Sequence, residues 1–174
     1  MADDPVQQIR SVVADLERVR VEAMPRARAD TALELLGRLQ RLTGSLMCEV
    51  TRMVSMADTG TDPTEVLRQR ARLSGREAKQ MTKVARSLPD LPKVAERFAE
   101  GDITLGQVEV LADAAGKVGP EAVEADRDLL ESASTTNPDR FRKRARDWSN
   151  RKLIEAGVDL LERQRRARQA KTWV

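Results

Sequence analysis

The sequence predicts an all-α protein, a multi-helix bundle with long N- and C-terminal helices and an embedded helix-turn-helix. Of its 174 residues, 34% are charged and only 2% are aromatic. It is rich in Ala, Leu, Arg, Glu, Lys and Gln, which lose little side-chain entropy in a helix. Its β-branched residues do not gather into the alternating runs that strands require. These features favour helices around a core of Leu, Val, Ala and Met.

The first helix is predicted to begin where Asp4 precedes Pro5, an N-cap followed by proline at the first helical position. Apolar residues then repeat at helical spacing as far as Val19. The pair Met24-Pro25 is expected to end this helix, because the residue before a proline is biased away from helical backbone angles.

The second helix is predicted from about Arg28 to Ala57, with a narrow apolar stripe from Ala32 to Met53 at near-heptad spacing. A helix this long with one apolar stripe has to pack against something. Either the first or the C-terminal helix covers the stripe, or a second copy of the chain does. In the second case, the residues of the homodimer contact are Leu35, Leu39, Leu42, Leu46 and Met53.

A helix-turn-helix is predicted next in the chain. Asp62 caps a short helix that begins at Pro63 and reaches about Ala71. After a tight turn, Ser74 and Glu77 have the S-x-x-E spacing of a capping box, because each side chain satisfies a free N–H group of the other residue. The helix that starts there is expected to continue until the segment PDLP breaks it. Together the two helices and their turn have the layout of a helix-turn-helix.

Caps and prolines also mark the starts of the remaining helices, at Pro92, Thr104, Pro120 and Asn137. One helix is expected after Pro120, and the last is expected to run from Pro138 towards Lys171. The apolar side of this last helix is predicted to consist of Phe141, Ala145, Trp148, Leu153, Ala156, Leu160 and Leu161. Three regions result: a long-helix region (1–60), a helical core (61–134) and an Arg-rich helix (135–174).

The distribution of charge is more informative than the net charge of +3. Between Thr64 and Arg86 there are seven Lys and Arg residues against two acids, and between Pro138 and Val174 there are twelve against five. The intervening segment, Asp90 to Glu131, is strongly acidic. Such asymmetry favours an anionic partner for the two basic segments and a solvated or self-masking role for the acidic one.

Several classes of chemistry are excluded or disfavoured. The chain has no histidine, which excludes His-based acid/base catalysis, Ser-His triads and His zinc sites. There is no Walker-type loop and no metal-ligand cluster, so no cofactor is expected. Cys48 is the only cysteine and is interpreted as a small buried hydrophobe. With no secretory signal and no apolar run long enough for a membrane span, a cytoplasmic protein is expected, nucleoid-associated if it binds DNA.

The capped basic helix is the candidate functional site, with duplex DNA as the expected partner. One side of it exposes Arg76, Lys79, Gln80 and Lys83, whose forked donors and amide suit base edges in the major groove. Phosphate contacts are expected from Arg68, Arg70, Arg72, Arg142 and Arg144. The alternatives are a basic helix that simply faces water and, for the last helix, an arm that docks on the acidic segment.

The segment LSGREAKQMTKVARSLPDLPKVAERFAEGDITLGQVEVLADAA, Leu73 to Ala115, resembles known families. From Gly75 onward it is similar to the helix-turn-helix region of ParB-type partition proteins. It resembles the actinobacterial 13E12 repeat family, domain of unknown function 222, more closely, over roughly Ala32 to Val174. That resemblance implies a DNA-acting phage or mobile-element protein, often followed by an HNH nuclease domain. The segment PTEVLRQRARLS departs from the tryptophan-containing helix that is common there.

Nuclease activity does not carry over from that resemblance, because an HNH site needs histidines. The chain is then either a stand-alone binding module or the N-terminal part of a longer HNH endonuclease. A different class of function is also open: a helical protein–protein adaptor or regulatory subunit that binds its partner through the Leu stripe between Leu35 and Met53.

Overall fold

The computed structural model describes residues 4–57 and 60–171, with side chains described as far as residue 157. This part of the chain contains α-helices and short 3₁₀ turns and no strand, which confirms the predicted all-α, multi-helix fold. No helix in it is both long enough and apolar enough to span a membrane. The helices are α1 (Pro5–Glu17), α2 (Ala29–Met56), α3 (Pro63–Arg70), α4 (Gly75–Ser87), α5 (Pro92–Ala99), α6 (Leu105–Val118), α7 (Pro120–Ala125), α8 (Arg127–Thr135) and α9 (Pro138–Lys171).

The chain divides into two compact units, and the boundary lies inside α2, between Gly37 and Arg38. In the first unit, Asp4 Oδ1 accepts a hydrogen bond from the Val6 N–H at 3.1 Å, so the predicted cap is confirmed. The predicted end of this helix is wrong, since α1 stops at Glu17. The Arg20 guanidinium donates to the Glu17 carbonyl at 2.8 Å and satisfies it without a further helical turn.

The part of α2 that belongs to the second unit buries its small and polar side chains. Cys48 is fully buried, and its Sγ lies 3.0 Å from Sδ of Met81 in α4. Burial raises the pKa of the Cys48 thiol to about 12, so it is an unreactive hydrophobe, as predicted. The lack of a side chain at Gly44 leaves room for the Phe98 ring of α5.

Most of the predicted apolar stripe of α2 is not packed inside this unit. Leu46, Val50 and Met53 are each more than half exposed. Leu42 is partly buried and lies next to Gly101, where the carbonyl of that glycine accepts a hydrogen bond from Arg41. Gly44 and Cys48 allow close approach to the core, and Met47 packs against it beside them.

The core of the second unit is built around α6, which packs against α9, α7, α4 and α5. Val108 and Leu111 of α6 are completely buried. Gln107 is also buried, and its Nε2 donates to the Ala133 carbonyl of α8 at 2.6 Å. Its Oε1 accepts from the Thr104 N–H at 2.8 Å, which completes a capping box at the start of α6.

The segment after Pro120 was predicted as one helix, and this prediction is wrong. Asp126 has extended backbone angles and separates α7 from α8. Its Oδ1 caps α8 through the Leu129 N–H at 2.9 Å, and its Oδ2 accepts from the Trp148 indole N–H at 2.6 Å. The break thus lets Asp126 cap α8 and also bind the indole of Trp148, which is buried as expected.

The last helix, α9, begins where predicted, since Asn137 Oδ1 accepts from the Asp139 N–H at 3.0 Å. Phe141, Ala145 and Trp148 are buried as predicted. Leu153 and Ala156 are exposed, so the predicted apolar side stops short of them. The predicted contributions of Leu160 and Leu161 lie outside the described side chains.

One carboxylate of the acidic segment binds the backbone of a neighbouring helix. The Glu124 carboxylate of α7 accepts from the backbone N–H groups of Lys93 and Val94, at 2.9 and 3.3 Å. It thereby caps α5, whose N-cap residue Leu91 has no polar side chain. Between residues 138 and 157, no basic side chain of α9 forms an ion pair with this segment. The self-masking interpretation agrees with these contacts better than docking of that stretch of α9.

We expect Gly101→Ala to lower the free energy of unfolding by about 1–2 kcal/mol, because the glycine φ of +76° is left-handed and strained for alanine. An added Cβ would also lie 3.1 Å from the Leu42 side chain. Urea denaturation measures the change. The control, Gly116→Ala, places a methyl in open space inside α6 and should stabilise by up to about 1 kcal/mol. Equal effects of the two variants would contradict the argument.

Candidate nucleic-acid interface

The local sequence builds α3, a connection at residues 71–74, and α4. Asp62 Oδ1 accepts from the Thr64 N–H at 3.0 Å and caps α3 as predicted. The predicted capping box of α4 is also confirmed. Ser74 Oγ accepts from the Glu77 N–H at 3.2 Å, and Glu77 Oε2 accepts from the Ser74 N–H at 2.9 Å. The hydroxyl and the backbone of Ser74 lower the pKa of the Glu77 carboxyl.

The connection between the two helices reverses the chain through Arg72, a non-glycine residue with a φ of +54°. Non-glycine residues are uncommon in this left-handed region of backbone angles, and here the positive φ makes the turn. Leu73 then turns back towards the core and is partly buried against it. Ala71, the C-terminal cap residue of α3, is exposed.

The two faces of α4 have opposite character. Ala78, Met81, Val84 and Ala85 are buried in the core. At about 100° per residue, the four predicted site residues share one arc on the opposite side. Arg86 extends the same arc by another turn and is also exposed. The basic face therefore consists of Arg76, Lys79, Gln80, Lys83 and Arg86.

Two carboxylates of α6 engage one end of this basic face. Gln80 Nε2 donates to Glu109 Oε2 at 2.8 Å. Lys83 Nζ lies 2.6 Å from Asp113 Oδ1 and 3.6 Å from Glu109 Oε1. The hydrogen bond to Asp113 raises the pKa of the Lys83 ammonium. The stabilisation that this pairing provides is present below the unfolded pKa and is lost as the pH rises through the folded one.

Helix α9 contributes Arg142 to the same surface. A cleft of about 500 Å³ lies between α4, α6 and α9. Its lining residues are Gly75, Arg76, Lys79, Gln80, Lys83, Glu109 and Arg142. Among the side chains that the structure describes, none forms a hydrogen bond or ion pair with Arg76, Lys79 or Arg142. Three unneutralised cations thus surround one opening, with Glu109 the one acid that lines it.

A second cleft of about 430 Å³ runs along the other edge of α4, between α4 and α3. It is lined by Thr64, Lys79, Thr82, Lys83, Arg86 and Ser87, without a carboxylate. The hydroxyls of Thr64 and Thr82 lie 3.3 Å apart across it. Lys79 and Lys83 border both clefts, so the basic face is accessible from either side.

Four of the predicted phosphate contacts are not brought into these clefts. Arg68 forms an ion pair with Glu65 at 3.0 Å, within α3. Arg70 and Arg72 are exposed near the turn and line neither cleft. Arg144 is about 200° around α9 from Arg142, so it flanks the opposite edge of the buried stripe.

Sequence reasoning missed Arg86 and the two carboxylates of α6. Arg86 follows Lys83 by three residues, and helical spacing alone could have added it to the site. Glu109 was interpreted as part of a solvated acidic face. Its contact with Gln80 joins residues 29 apart in the chain, and no local pattern encodes that distance.

A comparison with protein-family models matches residues 18–172 to the family described as Domain of unknown function (DUF222). The chain belongs to the DUF222 family. A search of curated proteins and a search of solved structures each found no match. The family description names no activity, so the chemistry of this DUF222 chain has to be inferred from its own residues.

The arrangement in this DUF222 chain is suited to binding polyanions. Guanidinium and ammonium groups supply charge-assisted donors, and the Gln80 carboxamide supplies a neutral donor and acceptor. In the described part of the chain, no group of three acidic or thiol side chains is placed to hold a metal ion. The side chains of this site can form ion pairs and hydrogen bonds.

We expect Ser74→Ala to return the pKa of the Glu77 carboxyl part of the way to its ordinary value, because the Ser74 hydroxyl is the first of the two groups that lower it and the backbone N–H remains. Loss of the cap should also cost about 1 kcal/mol of stability. A depressed carboxyl pKa gives stability above the unfolded pKa, which is lost as the pH falls through the folded pKa. An NMR titration of Glu77 measures the shift.

Asp62→Ala is the matched control, because it removes the cap of α3 and leaves the capping box of α4 intact. It should destabilise the chain by a similar amount and leave the Glu77 titration unchanged. A Glu77 pKa that is the same in wild type and Ser74→Ala would contradict the role of the Ser74 hydroxyl.

Proposed function

We propose that this chain is a DNA-binding module that uses α3 and α4 as a helix-turn-helix, with α4 lying in the major groove. The observation that carries the proposal is the convergence of Arg76, Lys79 and Arg142 on one cleft without an acidic partner. Unneutralised cations that share a surface repel each other, and an approaching phosphate backbone removes this repulsion. A groove about 12 Å wide admits a single helix such as α4.

In this proposal the residues of the basic face have different roles. Arg76 and Lys79 lie in the first turns of α4, the part of a recognition helix that reaches base edges. Arg86 and Arg142 lie at the margins of the two clefts and suit phosphate contacts. Arg70, Arg72 and Arg144 are proposed as outer phosphate contacts, and Arg68 contributes less because Glu65 already neutralises it.

The resemblance of Leu73–Ala115 to 13E12 and ParB-type segments supports the same function. It implies a setting in which a DNA-binding region precedes an HNH endonuclease domain. We propose that in such a setting this region delivers the nuclease to DNA and does not cut, since it has no histidine. The test is whether the open reading frame continues into a histidine-bearing segment.

We expect Arg76→Ala combined with Lys79→Ala to weaken duplex binding by tenfold or more at about 0.1 M salt and to abolish sequence preference. The reason is that both side chains occupy the groove-facing turns of α4. Fluorescence anisotropy with random and selected duplexes across a salt series measures both effects. The slope of log affinity against log salt should decrease by about one for each phosphate that the variant no longer neutralises.

The matched control is Lys117→Ala combined with Arg127→Ala, which removes the same charge from exposed sites outside both clefts. It should leave affinity within about threefold and the preference unchanged, because neither side chain lines a cleft and scattered surface charges contribute little to one binding face. Equal losses in the two double variants would mean that net charge, and not the α4 face, drives binding. No wild-type binding at low salt would contradict the proposed function.

A second candidate function is self-association through α2, in place of an unrelated protein partner. In the second unit, Leu46, Val50 and Met53 are exposed at steps of four and three residues. That is the spacing at which two supercoiled helices present the same stripe to each other. A twofold axis pairs identical surfaces, so a second copy fits this face. Leu35, Leu39 and Leu42 stay proposed members of the same contact.

We expect Val50→Glu combined with Met53→Glu to convert a dimer to a monomer, because four carboxylates would be buried at the twofold contact. Sedimentation equilibrium measures the mass. The control, Leu153→Glu with Ile154→Glu, places the same charges on exposed apolar positions of α9 and should leave the dimer intact. A wild-type monomer at all concentrations would contradict the dimer proposal without affecting DNA binding.

A further inference from the structure

Gln80 differs from the other members of the basic face in being neutral and half-buried, and a carboxylate of α6 holds it. Its Nε2 donates to Glu109 Oε2 at 2.8 Å. A carboxylate can only accept hydrogen bonds, so the amide nitrogen and not the amide oxygen has to face Glu109. This contact fixes which end of the carboxamide points away from α6.

We propose that Glu109 is a positioning residue that makes Gln80 selective for adenine. The inference rests on the proposed function, because it concerns how the α4 face reads a base. With one Nε2 hydrogen committed to Glu109, Gln80 presents its second hydrogen and its Oε1 side by side. Adenine offers the complementary pair in the major groove, an acceptor at N7 and a donor at N6.

Guanine is disfavoured by the same orientation. It presents two acceptors, N7 and O6, and the fixed Oε1 would meet one of them with no proton between the two oxygens. A freely rotating carboxamide could turn its NH₂ group towards both acceptors. Glu109 prevents that rotation, because turning the amide would place Oε1 against the carboxylate.

A carboxylate so close to a DNA-facing surface needs compensation, and Lys83 provides it. Lys83 Nζ lies 3.6 Å from Glu109 Oε1 and 2.6 Å from Asp113 Oδ1. Its charge offsets the repulsion between Glu109 and phosphates. Lys83 thus acts mainly by neutralising α6, and the direct cationic contacts with DNA fall to Arg76, Lys79 and Arg142.

Glu109 and Asp113 of α6 have different contacts, so their substitution gives a matched pair of variants. Asp113 contacts Lys83 and not Gln80, whereas Glu109 contacts both. Glu109→Gln and Asp113→Asn each remove one negative charge from the same side of the same helix. Only the first frees the Gln80 amide to rotate, because a carboxamide at position 109 can both donate and accept.

The experiment selects preferred duplexes from a randomised library and then measures Kd for adenine and guanine at each position. We expect wild type to prefer adenine at one position by about tenfold or more, and Gln80→Ala to lose this preference. Glu109→Gln should reduce the adenine-to-guanine ratio to within about threefold while overall affinity is equal or higher. Asp113→Asn should raise affinity and keep the ratio. Urea midpoints confirm that each variant folds.

The outcomes separate this inference from the proposed function. If the wild type binds no duplex, the proposed function fails and the inference fails with it. If it binds, but no position has an adenine preference that depends on Gln80, the inference alone is wrong. A Gln80-dependent preference that Glu109→Gln leaves intact would overturn the positioning role of Glu109. Equal loss of preference in Asp113→Asn would also overturn it, because the effect would then come from the lost negative charge and not from the orientation of Gln80.

Discussion

The burial of α6 is the constraint on which the rest of the second unit depends. Val108 and Leu111 anchor the helix in the core against α7 and α9, and Gln107 ties its first turn to α8. The opposite edge of α6 carries Glu109 and reaches α4. One helix therefore sets the distance between α4 and α9. The cleft exists because the core fixes α6, and a shift of α6 would move both of the basic walls that flank it.

The partners of the individual carboxylates determine which basic side chains remain without an ion pair. Glu124 caps α5, Asp126 caps α8 and holds an indole, and Asp113 neutralises Lys83. With Glu109, which accepts from Gln80, four carboxylates of the acidic segment thus have partners within the second unit. Among the residues that line the first cleft, Arg76, Lys79 and Arg142 remain without an ion-pair partner. A net charge of +3 conceals this, because pairing and not composition decides which charges remain available.

The sequence predicted well those features that are encoded within a few residues. The caps at Asp62, Ser74 and Asn137 depend on local backbone groups, and each was predicted correctly. The break at Asp126 was missed because a distant Trp148 stabilises it. Periodicity placed the apolar stripe of α2 correctly in the sequence, yet the small residues on the other side proved to be those that pack.

The candidate site shows the same division between local and long-range information. Spacing alone placed Arg76, Lys79, Gln80 and Lys83 on one face of α4, because helical geometry fixes their relative directions. It could not separate Arg142 from Arg144, since that distinction depends on which edge of the buried side of α9 borders the cleft. Nor could it show that two of the four α4 residues already have partners on α6.

The position of Arg76 is unfavourable for folding, and that is an argument for function. It lies in the first turn of α4, where the helix dipole is positive and anions are favoured. Glu77 beside it follows that rule, whereas Arg76 lies against it, and neither Arg76 nor Lys79 forms an ion pair with a described carboxylate. In most of a protein, local preferences and electrostatics favour the same structure, and violations are expected at functional or strained sites. A phosphate or base edge at this terminus would satisfy both the dipole and the two cations.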